Sequence, residues 1–224
     1  MARGGSYGDW GWFGLALAGG GLWIAARALH KGGAVTSDIA NYLRTHMQGE
    51  GLAYVDDIAA GIDGTMPQDF EDPDNPGDPV AAAHRWALDV AAIGQHESGY
   101  GTDVGYFPKG DPTGWGDRGN AYGFWQLDKH YNWAFIQSAD AASVSGQAHA
   151  AATKLAQNWA AFSDQDVASR EAFMIITYNA GLGRVHGMVA QGATVAAADA
   201  TTSQRYGKGY AANVLGIAGD WGAA

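Results

Sequence analysis

Residues 78–101 read DPVAAAHRWALDVAAIGQHESGYG, and this stretch decides what kind of fold the chain takes. Asp78 followed by Pro79 is an N-cap with proline at the first helical position, and Ser98-Gly99-Tyr100 is a stop, so the spacing predicts one helix from 79 to about 97. At about 100° per residue Trp86, Val90 and Ile93 fall on one stripe, and Glu97 lies on that stripe four residues beyond Ile93. A carboxyl group facing a core either pairs with a cation or takes a raised pKa, because removal from water disfavours its charged form. His96 or Arg118 could supply the cation and make Glu97 a plain ion pair. A carboxyl that stays protonated at neutral pH is instead a proton donor.

Around this helix the composition is that of a chain able to bury a core, with 224 residues, 47% of them hydrophobic. Charged residues make up 16%, below the roughly 25% of an ordinary soluble protein, so much of the surface is small and neutral. A formal charge of -10 without any cluster of Lys and Arg argues against nucleic acid or an anionic membrane face as the main partner. The lack of cysteine removes disulfides, zinc-thiolate sites and thiol nucleophiles. The histidines at 30, 46, 84, 96, 130, 149 and 186 take neither the HxxxH nor the HExxH spacing, so neither a metal nor another cofactor is expected.

Residues 10–29, WGWFGLALAGGGLWIAARAL, are the most apolar stretch and about long enough to cross a bilayer, which takes about 20 residues. Three readings compete: a signal peptide ending near Ala26-Arg27-Ala28, a glycine-rich membrane span, and an apolar helical segment docking on a neighbouring chain. Residues 37–62 read as two short helices, the first capped by Ser37 with Ile39, Leu43 and Met47 on one face, the second with Leu52, Val55, Ala59 and Ile62. Residues 63–78 hold Pro67, Pro73 and Pro76 among six acids from Asp63 to Asp78. They read as a solvated acidic linker without the spacing of a calcium loop. The expected layout is an N-terminal apolar and helical segment over 1–62, the linker over 63–78, and a mainly helical domain over 79–224.

Within that domain Ala148, Ala152, Leu155, Trp159 and Phe162 step by four and three, and a last helix carries Tyr210, Val214 and Ile217. The stretch 167–178 is apolar nearly all round, so Glu171 there marks no distinct face. Residues 99–131 are too rich in Gly, Asp and aromatics for a helix, and AYGFWQLD at 121–128 suits a short hairpin. The fold class expected is α+β, mainly helical, with a small β-hairpin region. The turn after Glu97 leads into GWGDRGNAYGFWQLD at 114–128, which brings Asp117 and Asp128 towards that glutamate. One protonated acid with one or two ionised carboxylates is what glycoside cleavage requires. Tyr100, Tyr106, Trp115, Tyr122, Trp125 and Tyr178 are available to stack on sugar faces, or to fill a core.

HESGYG at 96–101, GWGDRGNAYGFWQLD at 114–128, TYNAGLG at 177–183 and GYAANV at 209–214 occur in the order and approximate spacing of the goose-type lysozymes and related lytic transglycosylases. Residues 80–221 resemble that family, and the first 78 do not. The resemblance implies a lysozyme-like domain in which Glu97 is the general acid and Asp117 and Asp128 prepare water for an inverting hydrolysis. It implies a cleft lined by Gln126, Tyr178, Asn179 and Tyr210, to which Tyr122 and Trp125 are added as aromatic candidates. Lytic transglycosylases share the glutamate, the Gly123–Gln126 stretch and the Tyr-Asn-x-Gly block but generally lack the aspartate pair, so keeping both favours hydrolysis. Two departures stand out. GYFPKGDPT at 105–113 lengthens the path to Asp117, and Phe124-Trp125 replaces the more usual Leu-Met. The expectation is a muramidase that cuts the β-1,4 bond between N-acetylmuramic acid and N-acetylglucosamine in peptidoglycan glycan strands. Its rivals are a lytic transglycosylase, a chitinase, and a structural subunit with a silent enzyme domain. The apolar start and acidic tether suit a phage virion or tail component acting at the host cell envelope, with membrane or virion-protein contact through residues 10–29.

Overall fold

The computed structural model describes residues 32–102, 111–202 and 208–223. Residues 10–29, and with them the choice among signal peptide, membrane span and docking segment, lie outside the described residues, as does most of the 105–113 insertion. Among the described residues no helix is long and apolar enough to cross a membrane.

The chain is mainly helical with one small antiparallel sheet, an α+β arrangement. Helix α1 spans Gly32–His46 and a 3-10 stretch Gly49–Tyr54 leads into α2, Val55–Ile62. Ser37 therefore lies inside α1 and not at its cap. Leu52, expected on the buried face, is 41% exposed because it sits in the 3-10 stretch before α2, whereas Val55, Ala59 and Ile62 are buried.

Helix α3, Pro79–Ser98, starts where the Asp78 carboxylate accepts from Val80 N and Ala81 N, and stops where Gly99 takes a left-handed φ of 53°. From Trp86 to Gly94 every residue is buried, so α3 is the central helix and not an amphipathic one. Strands β1 (Trp115–Gly116), β2 (Ala121–Tyr122) and β3 (Leu127–Asp128) follow. They pair in that order, with Gly116 opposite Ala121 and Ala121 opposite Asp128. The hairpin read from 121–128 is β2–β3, and β1 extends it by a strand.

Then come α4 (Lys129–Ile136), α5 (Val144–Ala160), α6 (Val167–Ala180), α7 (Leu182–Ala190), α8 (Val195–Thr202) and α9 (Tyr210–Gly222). The expected α5 series Ala148, Ala152, Leu155, Trp159 and Phe162 is buried, as is all of α6 from Arg170 to Tyr178. In α9 Tyr210 and Val214 are buried but Ile217 only partly, with Ala218 and Trp221 taking its place.

The expected division at 62 and 79 does not describe the packing. Ile39 and Ile58 share one apolar core with Val90, Leu155 and Trp221, and the chain from Gly32 onward is one compact unit. Helix α2 lies so close to α5 that a Cβ on Gly61 would overlap the Ser145 carbonyl and the Ala148 methyl. The Gly61 carbonyl in turn pairs with His149 Nδ1 at 3.0 Å. Nor is 63–78 a free tether: Phe70 is buried against Trp86 and Trp159, and Asp69 accepts from Arg170 Nη1 at 2.9 Å and Trp159 Nε1 at 3.1 Å. Aromatic packing and a charge-assisted pair anchor a segment whose composition reads as solvated.

Candidate active site

Glu97 occupies the last turn of α3 and is partly exposed, not sunk in the core. The Tyr210 hydroxyl donates to Glu97 Oε1 at 2.5 Å, and the His96 ring meets the Tyr210 ring edge-on at 4.8 Å. Tyr210 is the first residue of α9, and that helix start is pinned by Asp199 of α8. The two Asp199 carboxylate oxygens accept from Ala211 N at 2.8 Å and Ala212 N at 3.0 Å. An anion on the unpaired amides of a helix start is favoured by both hydrogen bonding and the helix dipole. Asp199 therefore holds in place the phenol that holds Glu97.

The hairpin turn Gly123–Gln126 is clamped from three helices. Ser98 Oγ donates to the Phe124 carbonyl at 2.8 Å, the Tyr178 hydroxyl to the Trp125 carbonyl at 2.9 Å, and Phe124 N to Gln147 Oε1 at 2.9 Å. Gln147 is fully buried and its amide also donates to the Pro112 and Ala141 carbonyls at 2.7 and 2.8 Å. Gly123 has a φ of 71°, and a Cβ there would overlap the Gln147 amide, so glycine is required twice over. Held this way, the turn places Gln126 at φ 48° and leads directly into Asp128.

Tyr100, Asp117, Arg118 and Gln126 are the non-glycine residues with left-handed backbone among those described, and all lie between Glu97 and Asp128. Each such residue costs on the order of 1–3 kcal/mol and persists only where its surroundings over-determine it, a pattern that concentrates at active sites.

The sequence-predicted residues separate into two groups. Glu97, Asp128, Tyr178 and Tyr210 are brought together. Burial pulls the Lys154 ammonium down, with the Glu97 and then the Asp128 charge opposing it, and burial first, then Glu97, pushes the Tyr178 phenol up. Asp128 is exposed at the end of β3, where its Oδ1 accepts from His130 N at 2.7 Å and caps α4. Asn179 follows Tyr178 and is exposed. Asp117, also exposed, follows Gly116 on the opposite edge of the sheet. Two strand spacings, about 10 Å, separate Gly116 from Asp128.

Of the remaining candidates Tyr106 lies outside the described residues and Trp115 is 37% exposed, while the others are structural. Trp125 is fully buried, wedged against Gly94, and its indole N–H donates to the Val90 carbonyl at 2.8 Å, so it cannot stack on a ligand. Tyr122 is 7% exposed and packs with Ile136 and Ala141. Tyr100 is 1% exposed and spends its hydroxyl on the Ala91 carbonyl. Gln126 is partly exposed, but its amide nitrogen donates to the Gly123 carbonyl at 2.8 Å and its side chain covers Gly116. Glu171 lies in a different cluster, bound by Arg85 at 2.6 and 3.1 Å.

Two residues of the site carried no signal strong enough to single out. Lys154, an isolated cation in an alanine-rich helix, donates to the Tyr178 carbonyl at 2.8 Å and lies 4.2 Å from the centre of the Tyr178 ring. Asp199 is a buried acid among Ala and Thr. An isolated charge in an otherwise neutral helix was the available clue for both. Compared with family models, with curated proteins and with solved structures, the chain finds no match.

Proposed function

We propose that this protein is a muramidase with a lysozyme-like catalytic domain, hydrolysing the β-1,4 bond between N-acetylmuramic acid and N-acetylglucosamine in peptidoglycan. The observation that carries the reading is the carboxyl group of Glu97, bound by Tyr210 at 2.5 Å, in one charged neighbourhood with Asp128 and Lys154. Glu97 protonates the glycosidic oxygen, and Asp128, open to solvent, takes a proton from the attacking water. Inversion needs room for that water, about 6.5–9.5 Å between acid and base. Asp117, at the far edge of the sheet, assists by orienting the glycan or the water. The four blocks shared with goose-type lysozymes support the same assignment.

Replacing Glu97 with Gln removes the proton while keeping size and hydrogen-bonding capacity. Lysis of peptidoglycan is expected to fall by roughly 10²-fold or more with an unchanged circular dichroism spectrum and melting temperature. Lysis at the wild-type rate by Glu97→Gln overturns the assignment. Products ending in 1,6-anhydro-muramic acid assign the same acid to a lytic transglycosylase. The placement in a phage particle rests on residues 1–62 alone and is tested by looking for the chain in purified virions.

A further inference from the structure

Tyr210 opens α9, and the hydroxyl that it donates to Glu97 Oε1 therefore reaches the acid from a helix separate from α3. Val214, Ala218 and Trp221 hold the later turns of α9 in the core. Its first turn has a different anchor. The leading amides of a helix are commonly capped by the side chain of the residue just before it, but that residue here is Gly209, which has none to offer. The acceptor comes instead from the buried Asp199 of α8, whose two carboxyl oxygens take Ala211 N at 2.8 Å and Ala212 N at 3.0 Å. A Cβ on Gly209 would overlap that carboxyl, so the glycine makes room for the imported cap. Helix α8 is itself fixed, with Ala198 in the core and the Thr201 carbonyl accepting from Arg184 Nη2 at 2.9 Å.

A plain helix cap that satisfies two amides would explain Asp199. A side chain at position 209 would do the same, however, and the backbone there, at φ -68° and ψ 169°, already has the extended form of a capping residue. What only a residue of another helix can do is fix the first turn of α9 in space. The two amides that Asp199 binds follow Tyr210 immediately.

We propose that Asp199 is a positioning residue for the proton donor: by tying the start of α9 to α8 it holds the Tyr210 hydroxyl on Glu97 Oε1. In a protonated carboxyl the carbonyl oxygen is the better acceptor, so a phenol on Oε1 favours the transferable proton on Oε2. As that proton passes to the leaving oxygen the glutamate gains charge, and the bond from Tyr210 becomes charge-assisted and stronger. The consequence for turnover rests on the muramidase reading; the placement of Tyr210 does not.

The test compares the wild type with Asp199→Ala/Gly209→Ser, which moves the cap onto α9 itself, and with Asp199→Asn, which keeps one of the two acceptors. Beside the melting temperature, the pH response of the Tyr210 Cζ carbon is followed by ¹³C NMR, assigned with Tyr210→Phe and attributed to Glu97 by its loss in Glu97→Gln. Turnover is measured as kcat and KM on a soluble peptidoglycan oligosaccharide. The cap-swapped variant is expected to melt near the wild-type temperature, to lose the phenol's response to Glu97, and to lose roughly ten- to a hundredfold in kcat with KM little changed. Adding Tyr210→Phe to it costs less than about twofold more, because both changes break one contact. A cap-swapped variant with wild-type phenol response and kcat makes Asp199 a plain cap and overturns the proposal. So does a full further loss on adding Tyr210→Phe, or a wild-type phenol that ignores Glu97. Should the swap fail to fold, Asp199→Asn decides by the same readouts: loss of the phenol response supports the proposal and its retention overturns it. A phenol response that depends on Asp199 in a protein that releases no muropeptides supports the positioning and refutes the muramidase reading.

Discussion

At the scale of single residues, the site separates chemical from structural duties unevenly. Asp128 carries both, because its Oδ1 caps α4 while the carboxylate as a whole is the proposed base. Asparagine caps helices about as well as aspartate but cannot take a proton from water. Asp128→Asn is therefore expected to lose roughly 10²-fold or more in turnover while its melting temperature stays within a degree or two. A loss of stability matching the loss of turnover would assign Asp128 to the cap alone. The aromatics were the residues read least well. Trp125 and Tyr178 look alike in a Gly-rich stretch and a helix, but one is packed between α3 and the hairpin and the other bridges the hairpin to Lys154. Strands of two residues carry no periodicity that tells a core face from a cleft face. The partners that decide the matter lie 35 and 53 residues away.

At the scale of elements, α3 was legible from end to end, because Asp78-Pro79 and Gly99 are local signals that need no tertiary partner. What packs against it was not. One turn of α3 carries Arg85 and Asp89, α6 brings Glu171 to them, and Asp74 approaches from outside at 3.9 Å, three carboxyls for one guanidinium. Arg85 gives its short bonds to Glu171, while Asp89, with no exposure, stands 3.6 Å from Arg85 Nε. Burial first, and then the Glu171 charge, push the Asp89 carboxyl well above its ordinary value, Arg85 pulling the other way. A midpoint raised on folding means that the group's stabilising contribution is complete below its unfolded value near 3.8 and is lost as pH rises towards the folded one. Asparagine imitates the neutral acid at every pH. The melting temperature of Asp89→Asn relative to wild type is thus expected to rise between pH 4 and pH 8 in calorimetric scans. A difference that is flat across that range would mean Asp89 is charged throughout.

At the scale of the whole molecule, the four sequence blocks mark 80–221 as a unit, but the packing begins at Gly32. The reason is that α1 and α2 carry no chemistry to recognise. They contribute Ile39, Leu43, Met47, Val55, Ile58 and Ile62 to the shared core, with Phe70 added from the segment that follows. Each such side chain is worth about 1.5–3 kcal/mol when buried, and together they match the roughly 5–15 kcal/mol by which a domain is stable. A chain beginning at Pro79 is accordingly expected to lose its near-ultraviolet dichroism and its cooperative melting. A truncated chain that melts cooperatively would restore 63–78 as a true linker. The same packing sets the limits of the site. Glu97, Tyr210 and Lys154 come from three helices of one core, and the hairpin bearing Asp128 is clamped to that core by Ser98, Gln147 and Tyr178. The acid and the proposed base are thereby fixed relative to each other.

The central claim is that Glu97 and Asp128 together deliver water to a glycosidic bond, and the most direct test is mass spectrometry of fragments released from purified peptidoglycan in ¹⁸O-labelled water. Wild-type protein is predicted to release muropeptides with reducing N-acetylmuramic acid ends carrying one labelled oxygen, and Glu97→Gln to release essentially none. Fragments that end in 1,6-anhydro-muramic acid without label, or no fragments from the wild type, would contradict it.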